Sequence, residues 1–454
     1  MENLRQMLDD IDEATVANIF GGMPSYHTPD GVMLEPKEAL PLTQSAYGTT
    51  PDVYNAILLK KGSAFTVDDG VKVRRVVADQ DITINPKAML DVNIGKESDL
   101  TELEHGTDYY IYAYVAGNTS NAIDIVVSKS STYPDDESGS SPYTASNTRK
   151  IGGFHFGTVR VVSQNGSPVD GSGAEFGTSS PVWKQNVIDG MVVPNSIWDL
   201  CDTDGGRIPH RDGTVMIGGS WKSSNEGNLT GHYSKKGGRF WCDMYLVSKD
   251  SGTISFSQDT SRSPVKGDGK LVSAYGKLPA TGTEGLCGYN FIELAKKDGL
   301  RLLSYHDWLQ VAYGNPQGED GDNQYGWTKT TNTARTYTGC SVDTSDTSDG
   351  SHSAGGVKKY ALSAWNVCDC VGDVWEWLSD FAQKGGTGTF GWHNVMSGDE
   401  VGQIYEDSDN ALTQFVAGGH WHGGVHCGCR TLHLSSCPWL ADAIFGSRFA
   451  RDAL

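Results

Sequence analysis

A chain of 454 residues exceeds what one ordinary core supports, so two or three domains are expected. With 36 basic against 56 acidic residues its formal charge is −20, which repels polyanions and excludes a general binder of nucleic acid or anionic membrane surface. Nine cysteines at irregular spacings fit no disulfide framework and predict mostly free thiols, and the lack of any run of 18 apolar residues argues against membrane insertion.

The opening segment, MENLRQMLDDIDEATVANIF, lacks the basic and apolar parts of a secretory signal, so a soluble product made in the cytosol is expected. Leu4, Leu8, Ile11 and Ile19 recur at roughly helical spacing and predict a short amphipathic helix within 3–20. Three β-branched and aromatic runs follow, VKVRRVVADQDITI (71–84), DYYIYAYVAG (108–117) and AIDIVVSKS (122–130), and predict a mainly β region over 1–130. The Ser-, Pro- and acid-rich stretch 128–148 has too little apolar surface to pack, which predicts a linker over 131–150. All twelve tryptophans lie at Trp183 or later and all nine cysteines at Cys201 or later, and this shift in composition supports a division near 150.

Beyond that point two helices are expected. NFIELAKKDG (290–299) ends on a glycine, and SYHDWLQVAYG (304–314) opens with Ser304 and Asp307 at capping-box spacing. GEDGDN (318–323) reads as a solvated acidic loop, with calcium ligation by its carboxylates as the alternative; 341–356 is low-complexity. In VWEW, Trp375 and Trp377 share one strand face and are expected in the core, while Glu376 points the other way and, if buried, needs a hydrogen-bonding partner. Cys368 and Cys370 are expected as free structural thiols. The densest chemistry lies in GGHWHGGVHCGCR (418–430), with His420, His422, His426, Cys427 and Cys429. Cys-x-Cys with scattered histidines matches no standard zinc or copper spacing, which leaves a metal site, an ordinary loop and a binding surface as competing readings.

Four segments, taken in order, resemble one family. GTVMIGGSW (213–221) is similar to its opening strand, LRLLSYHDWLQVAYG (300–314) to its strand and tryptophan-bearing helix, ALSAWNVCDCVGDVWEWLSD (361–380) to its VWEW motif, and GGHWHGGVHCGCR with GSRFARD (446–452) to its closing strands. The family is the formylglycine-generating-enzyme-like version of the C-type lectin fold. The resemblance implies an α+β protein in which a C-type-lectin-like domain over 151–454 follows the mainly β region. One branch of the family oxidises cysteines through a pair of copper-binding thiolates. At the two matching positions this chain has Gly423 and Gly428, neither of which can act as a thiolate.

The other branch is the variable proteins diversified by retroelements, phage tropism determinants among them, in which adenines of a C-terminal cassette are replaced at random. Codons open to that process do not encode Lys, Glu, Gln or Met, and none of the 33 residues from His422 onward is of these types, although they make up 59 of the preceding 421. Those codons do not encode Trp either, so Trp439 is expected to be a fixed position. The resemblance therefore implies a variable region of about 420–446 comprising His420, His422, Gly423, Val425, His426, Cys427, Cys429, Leu432, His433, Ser435, Ser436, Leu440, Asp442 and Ile444, displayed to solvent on a rigid frame of Trp375, Trp377, Trp421, Gly428, Arg430, Gly446 and Arg448. It implies no cofactor, calcium being the open alternative, and no catalysis. The expected role is a phage tail protein that binds a protein-like receptor on the host surface, joins other virion tail proteins through residues 1–130 and assembles as a homotrimer. A formylglycine-generating-type oxidase and a calcium-dependent sugar-binding lectin are the competing functions.

Overall fold

The computed structural model describes residues 31–68, 73–90, 102–114, 124–134, 143–163, 186–222, 232–250, 269–315, 335, 337–339, 361–383, 391–394, 403–406, 412–421, 423 and 426–454. The expected helix within 3–20, the acidic loop 318–323 and the low-complexity segment 341–356 lie outside them. Strands dominate the described residues. The first are β1 (Leu34–Pro36), β2 (Ile57–Leu59), the hairpin of β3 (Ala64–Asp68) and β4 (Val73–Val77), and β5 (Ile82–Ile84), with β1, β2 and β5 forming one small antiparallel sheet. A five-stranded sheet follows, from β6 (Thr107–Tyr114), β7 (Asp124–Ser128), β8 (Thr148–Arg160), β9 (Val187–Val192) and β10 (Trp198–Asp199).

This second sheet corrects the expected division near 150. Strand β8 begins at Thr148, runs for 13 residues and pairs antiparallel with β6 along most of its length, from Thr107↔Phe156 to Tyr114↔Thr148, so the chain is mid-strand where a linker was predicted to end. The sheet is a wall between two cores. Along β6, Tyr109, Ile111 and Ala113 pack into an N-terminal core with Val32, Ile57 and Phe65, whereas Tyr110 and Tyr112 face a larger core that runs on to Trp308, Leu432 and Ala450. A strand covered on both faces reads as a continuous apolar run, as β6 does. Composition changes across the wall while packing does not stop there.

The C-terminal part has a four-stranded antiparallel sheet of β11 (Thr214–Lys222), β12 (His232–Asp243), β15 (Arg301–Leu302) and β22 (Phe449–Asp452), and a hairpin of β13 (Val247–Lys249) and β14 (Leu271–Ser273). Its helices are α1 (Gly288–Lys297) and α2 (Tyr305–Val311). Helix α2 starts as its sequence dictates, since the Ser304 hydroxyl accepts from the Asp307 amide and the Asp307 carboxylate accepts from the Ser304 amide. A six-stranded mixed sheet completes the fold, from β16 (Trp375–Gln383), β17 (Gly391–Asn394), β18 (Gln403–Glu406), β19 (Leu412–Gly418), β20 (Gly428–His433) and β21 (Phe445–Gly446), in the spatial order β17-β18-β20-β19-β16-β21.

One expectation about cysteine chemistry is corrected: Cys368 is disulfide-bonded, whereas Cys370 is a free thiol as expected. Burial pushes the thiols of Cys370 and Cys242 well above their ordinary pKa, so neither has nucleophilic character at neutral pH. No helix among the described residues is long and apolar enough to cross a membrane.

Candidate functional site

The cassette is held in place from beneath by a buried ion pair. Arg448 is 1% exposed and grips Glu376 with two parallel bonds, Nε to Oε2 at 2.6 Å and Nη2 to Oε1 at 2.7 Å. Its remaining donors reach the carbonyls of Asp243 (3.3 Å), Met244 (3.1 Å) and Cys368 (2.9 Å), so one guanidinium ties β16 to the end of β12 and to the segment before VWEW. Burial raises the pKa of the Glu376 carboxyl and Arg448 opposes that shift. Glu376 thus has the partner its burial demands, on the strand face opposite Trp375 and Trp377, which are both buried in one apolar cluster with Phe445 and Val416.

Between β19 and β20 the chain turns on glycine. Gly418 and Gly419 both sit at φ +91°, in the left-handed region, and a Cβ on Gly419 would lie 2.4 Å from the Cys427 sulfur. The Cys427 thiol donates to the His420 carbonyl at 3.3 Å and fills the space under the turn. Trp421 packs against Leu246 and Val374, with its amide donating to the Asp373 carbonyl, and a Cβ on Gly446 would meet Val374 at 2.7 Å. From α2, the Trp308 indole donates to the Cys429 carbonyl at 3.0 Å and the Tyr305 hydroxyl to the Arg430 carbonyl at 3.3 Å. Trp375, Trp377, Trp421, Gly428, Gly446 and Arg448 are all buried beneath this turn and strand. Arg430, by contrast, has an exposed side chain while its backbone serves the sheet.

The cassette positions divide. Leu440 is 39% exposed and Asp442 is exposed as well, whereas His420, Gly423, His426, His433, Ser435 and Ile444 are half-buried at the surface. Cys427, Cys429, Leu432 and Ser436 are buried, which corrects the expectation that they are displayed. Cys427 fills the space under the Gly418–Gly419 turn, and for Leu432 the reason is strand alternation. Leu432 pairs with Ala417, which pairs with Glu376, and this rung faces the large core; one residue on, His433 pairs with Val416, which pairs with Trp377, and that rung faces the opposite side. His422 and Val425 lie outside the described residues.

The rung through His433 continues outward to Tyr405 in β18 and Trp392 in β17. Buried at Trp377 and Val416, it becomes half-buried over the last three strands, so the apolar core opens onto the surface as a row of rings. His433 is parallel to Tyr405 (5.2 Å between centroids, 1° between planes), His426 to Trp392 (4.2 Å, 3°), and Trp375 approaches His420 at 6.1 Å. The hydroxyls of Ser435 and Ser436 each lie 3.1 Å from a ring nitrogen of His433 and hold its plane. Among the described residues no group of three or more His, Cys, Asp or Glu side chains is placed to hold a metal ion. Chemically this is a rigid, largely uncharged contact surface. Sequence reading missed Trp392 and Tyr405; the aromatic residues of GWHN and QIYE were the available signal, but each strand spans only four residues.

Comparison with known proteins agrees with this construction. Residues 50–184 match the Mtd second domain family and residues 232–453 the sulfatase-modifying factor enzyme 1-like domain family. The chain is 24% identical over 367 residues to the tail fiber receptor-binding protein of Bordetella phage BPP-1, an alignment that covers 78% of this chain and 72% of that protein. Among solved structures it is similar to the I1 variant of the major tropism determinant (TM-score 0.53, 17% identity, 94% of this chain and 85% of that one) and to the M1 variant (TM-score 0.51, 19% identity, 88% and 81%). The chain therefore carries, in order, an Mtd second domain and a sulfatase-modifying factor enzyme 1-like domain of C-type-lectin type, and it shares its fold with the major tropism determinants.

Proposed function

We propose that this chain is a receptor-binding protein of a phage tail, which recognises a host surface molecule through a variable patch built from His420, His426, His433, Leu440, Asp442 and Ile444, with His422 and Val425 in the same cassette. The observation that carries the reading is the rung from Trp377 to Trp392, which converts a buried core into a half-exposed contact face without a change of backbone. The tail fiber receptor-binding protein of Bordetella phage BPP-1 supports the biological setting. Recognition is non-covalent and the chain is not an enzyme: glycines stand at 423 and 428, where the oxidising branch needs thiolates.

Planar rings and aliphatic groups suit a protein receptor, because they bury area at about 25 cal/mol per Å² and lose little conformational freedom. Weak single contacts gain strength from copy number, so a homotrimer displayed several times on a tail, attached through its N-terminal β sheets to other virion proteins, binds by avidity. The test replaces His426, His433, Leu440 and Asp442 together with alanine while Trp421 and Arg448 are kept. Loss of adsorption to host cells with unchanged folding supports the reading, and unchanged adsorption with unchanged folding overturns it.

A further inference from the structure

The sheet face that carries His433 continues past it along β19. Leu412, Gln414 and Val416 share that face, and Phe381 of β16 pairs with Gln414 across it. The Gln414 amide donates to the Ser436 carbonyl at 2.9 Å, so the chain leaving His433 stays on this strand. Two residues on, the Pro438 carbonyl accepts from the Tyr289 amide at 3.3 Å, and the Tyr289 ring stacks on Phe381 with 6.2 Å between centroids. Trp439 and Leu440 come next. Tyr289 thereby joins them to β16 and β19 in one apolar patch, where Phe381, Leu412, Trp439 and Leu440 are 39%, 40%, 42% and 39% exposed. We propose that Trp439, Phe381 and Leu412 are an apolar anchor of the receptor contact, set beside the variable positions, and that they take aliphatic or aromatic side chains of a host surface protein. This inference rests on the reading of the cassette as a receptor contact.

Large apolar side chains exposed singly are ordinary, but several joined in one patch mark a contact surface, and tryptophan is the residue most enriched where such contacts gain their strength. None of these side chains is charged, so the patch selects by burial of apolar surface. A receptor suits the patch better than a second copy of this chain does. Leu440 is one of its members and one of the variable positions, and a subunit contact packed to the density of a protein interior would be damaged by each change there. At a receptor contact such change is the means of altering the partner. Trp439 stays the same through it, because the tryptophan codon contains no adenine, and Phe381 and Leu412 precede the cassette. The patch therefore supplies apolar grip that every version of the cassette retains.

The experiment is hydroxyl-radical footprinting of the unaltered full chain, free and bound to envelopes isolated from the host, with labelled residues identified by mass spectrometry. Trp439 and Phe381 are expected to label in the free chain and to lose that labelling on the envelopes. Tyr313, 41% exposed and just beyond α2, which packs into the large core on the other face of the sheet, is expected to keep it. Trp439→Ala is expected to weaken adsorption about tenfold or more, the loss of one tryptophan anchor, with folding and oligomeric state unchanged, and Trp439→Phe to keep most of the adsorption. The factor lost in Trp439→Ala should be the same at about 0.05 M and about 0.5 M salt, since no charge is involved. Continued labelling of Trp439 on the envelopes, or unchanged adsorption by folded Trp439→Ala, overturns the proposal. So does labelling that is suppressed in the free assembly and returns when dilution separates its subunits, which would assign the patch to a second copy. Where Trp439→Ala does not fold, the footprint on the unaltered chain decides. If the four cassette alanines abolish adsorption while Trp439→Ala leaves it intact, this inference alone fails; if those alanines leave adsorption unchanged, the reading beneath it fails too.

Discussion

Adjacent residues of one strand, Leu432 and His433, serve opposite ends. On the Leu432 side the rung runs through Ala417 to Glu376 and ends in the Arg448 ion pair, sealed from solvent; on the His433 side it runs from Trp377 and Val416 outward to Tyr405 and Trp392. Since strand side chains alternate, a one-residue slip would exchange the two sets. If the surface residues of β20 vary as proposed, the strand must hold its register against changes in its own sequence, and here the register is held by groups that lie elsewhere: the Trp308 indole on the Cys429 carbonyl and the glycine pair at 418 and 419. These groups do not depend on the side chain at His433.

The comparison breaks most completely if Arg448 is removed. Arg448→Met leaves Glu376 buried without its cation and takes one donor from each of three carbonyls, and it is expected to cost about 3–5 kcal/mol. Guanidinium unfolding followed by tryptophan fluorescence measures this, and a loss below about 1 kcal/mol would show that the ion pair is not the frame's anchor. Gly419→Ala comes next. It forces an alanine to φ +91° and sets its Cβ against the Cys427 sulfur, at an expected cost of about 1–3 kcal/mol. Adding Cys427→Ala to it removes the sulfur contact alone and leaves the backbone strain and the 2.8 Å approach to the Cys427 Cα and Cβ, so any recovery in the double variant measures the sulfur's share.

Much of the frame was legible in the sequence because its signals are local. Ser304 and Asp307 announce a helix start by their spacing alone, and VWEW places two tryptophans and a glutamate on opposite faces whatever surrounds them. The wall of β6 and β8 was not legible, because a polar stretch before Thr148 looks like a linker unless the pairing of Tyr114 with Thr148 across it is known. The partition of the cassette was hidden for a related reason: whether Leu432 or His433 faces outward depends on register with β19, and that register shifts between Ala417 and Gly418. Cys427 resembles its neighbours in the sequence, and only the close approach of Gly419 shows that it fills a space beneath the turn. Trp392 and Tyr405 join the site through pairing between short strands far apart in the chain.

A pH titration sharpens the contrast between frame and rim. His210 belongs to the frame, stacked on Trp198 (4.5 Å, 9°) and edge-on to Trp241 (4.9 Å), and burial with Arg451, Lys235 and Lys150 nearby holds its pKa well below the usual imidazole value. His426 on the rim, half-buried as His210 is, is lowered by burial alone. For both, the folded state prefers the neutral ring, so stability is full above the unfolded pKa of about 6.5 and falls as pH drops below it, when the unfolded chain binds protons first. His210→Phe is expected to flatten the dependence of stability on pH below about 6.5 much more than His426→Ala does. Equal flattening by the two variants would erase the distinction between a histidine used for packing and one used for contact.

The smallest effect on folding should come with a large effect on binding. Leu440 is 39% exposed, its amide closes a turn onto the Cys437 carbonyl, and a serine keeps that backbone bond. Leu440→Ser is expected to change stability by no more than about 0.5 kcal/mol, as surface substitutions do. At the centre of a receptor contact the same change removes an apolar anchor and should weaken adsorption about tenfold or more, the ratio that corresponds to a loss of about 1.4 kcal/mol. Leu432→Ser is the internal control: one rung deeper, on the frame side of β20, it buries a hydroxyl in an apolar core and should lower stability by about 2–5 kcal/mol. If both serines instead lower stability alike and leave adsorption alone, the line between frame and rim has been drawn in the wrong place.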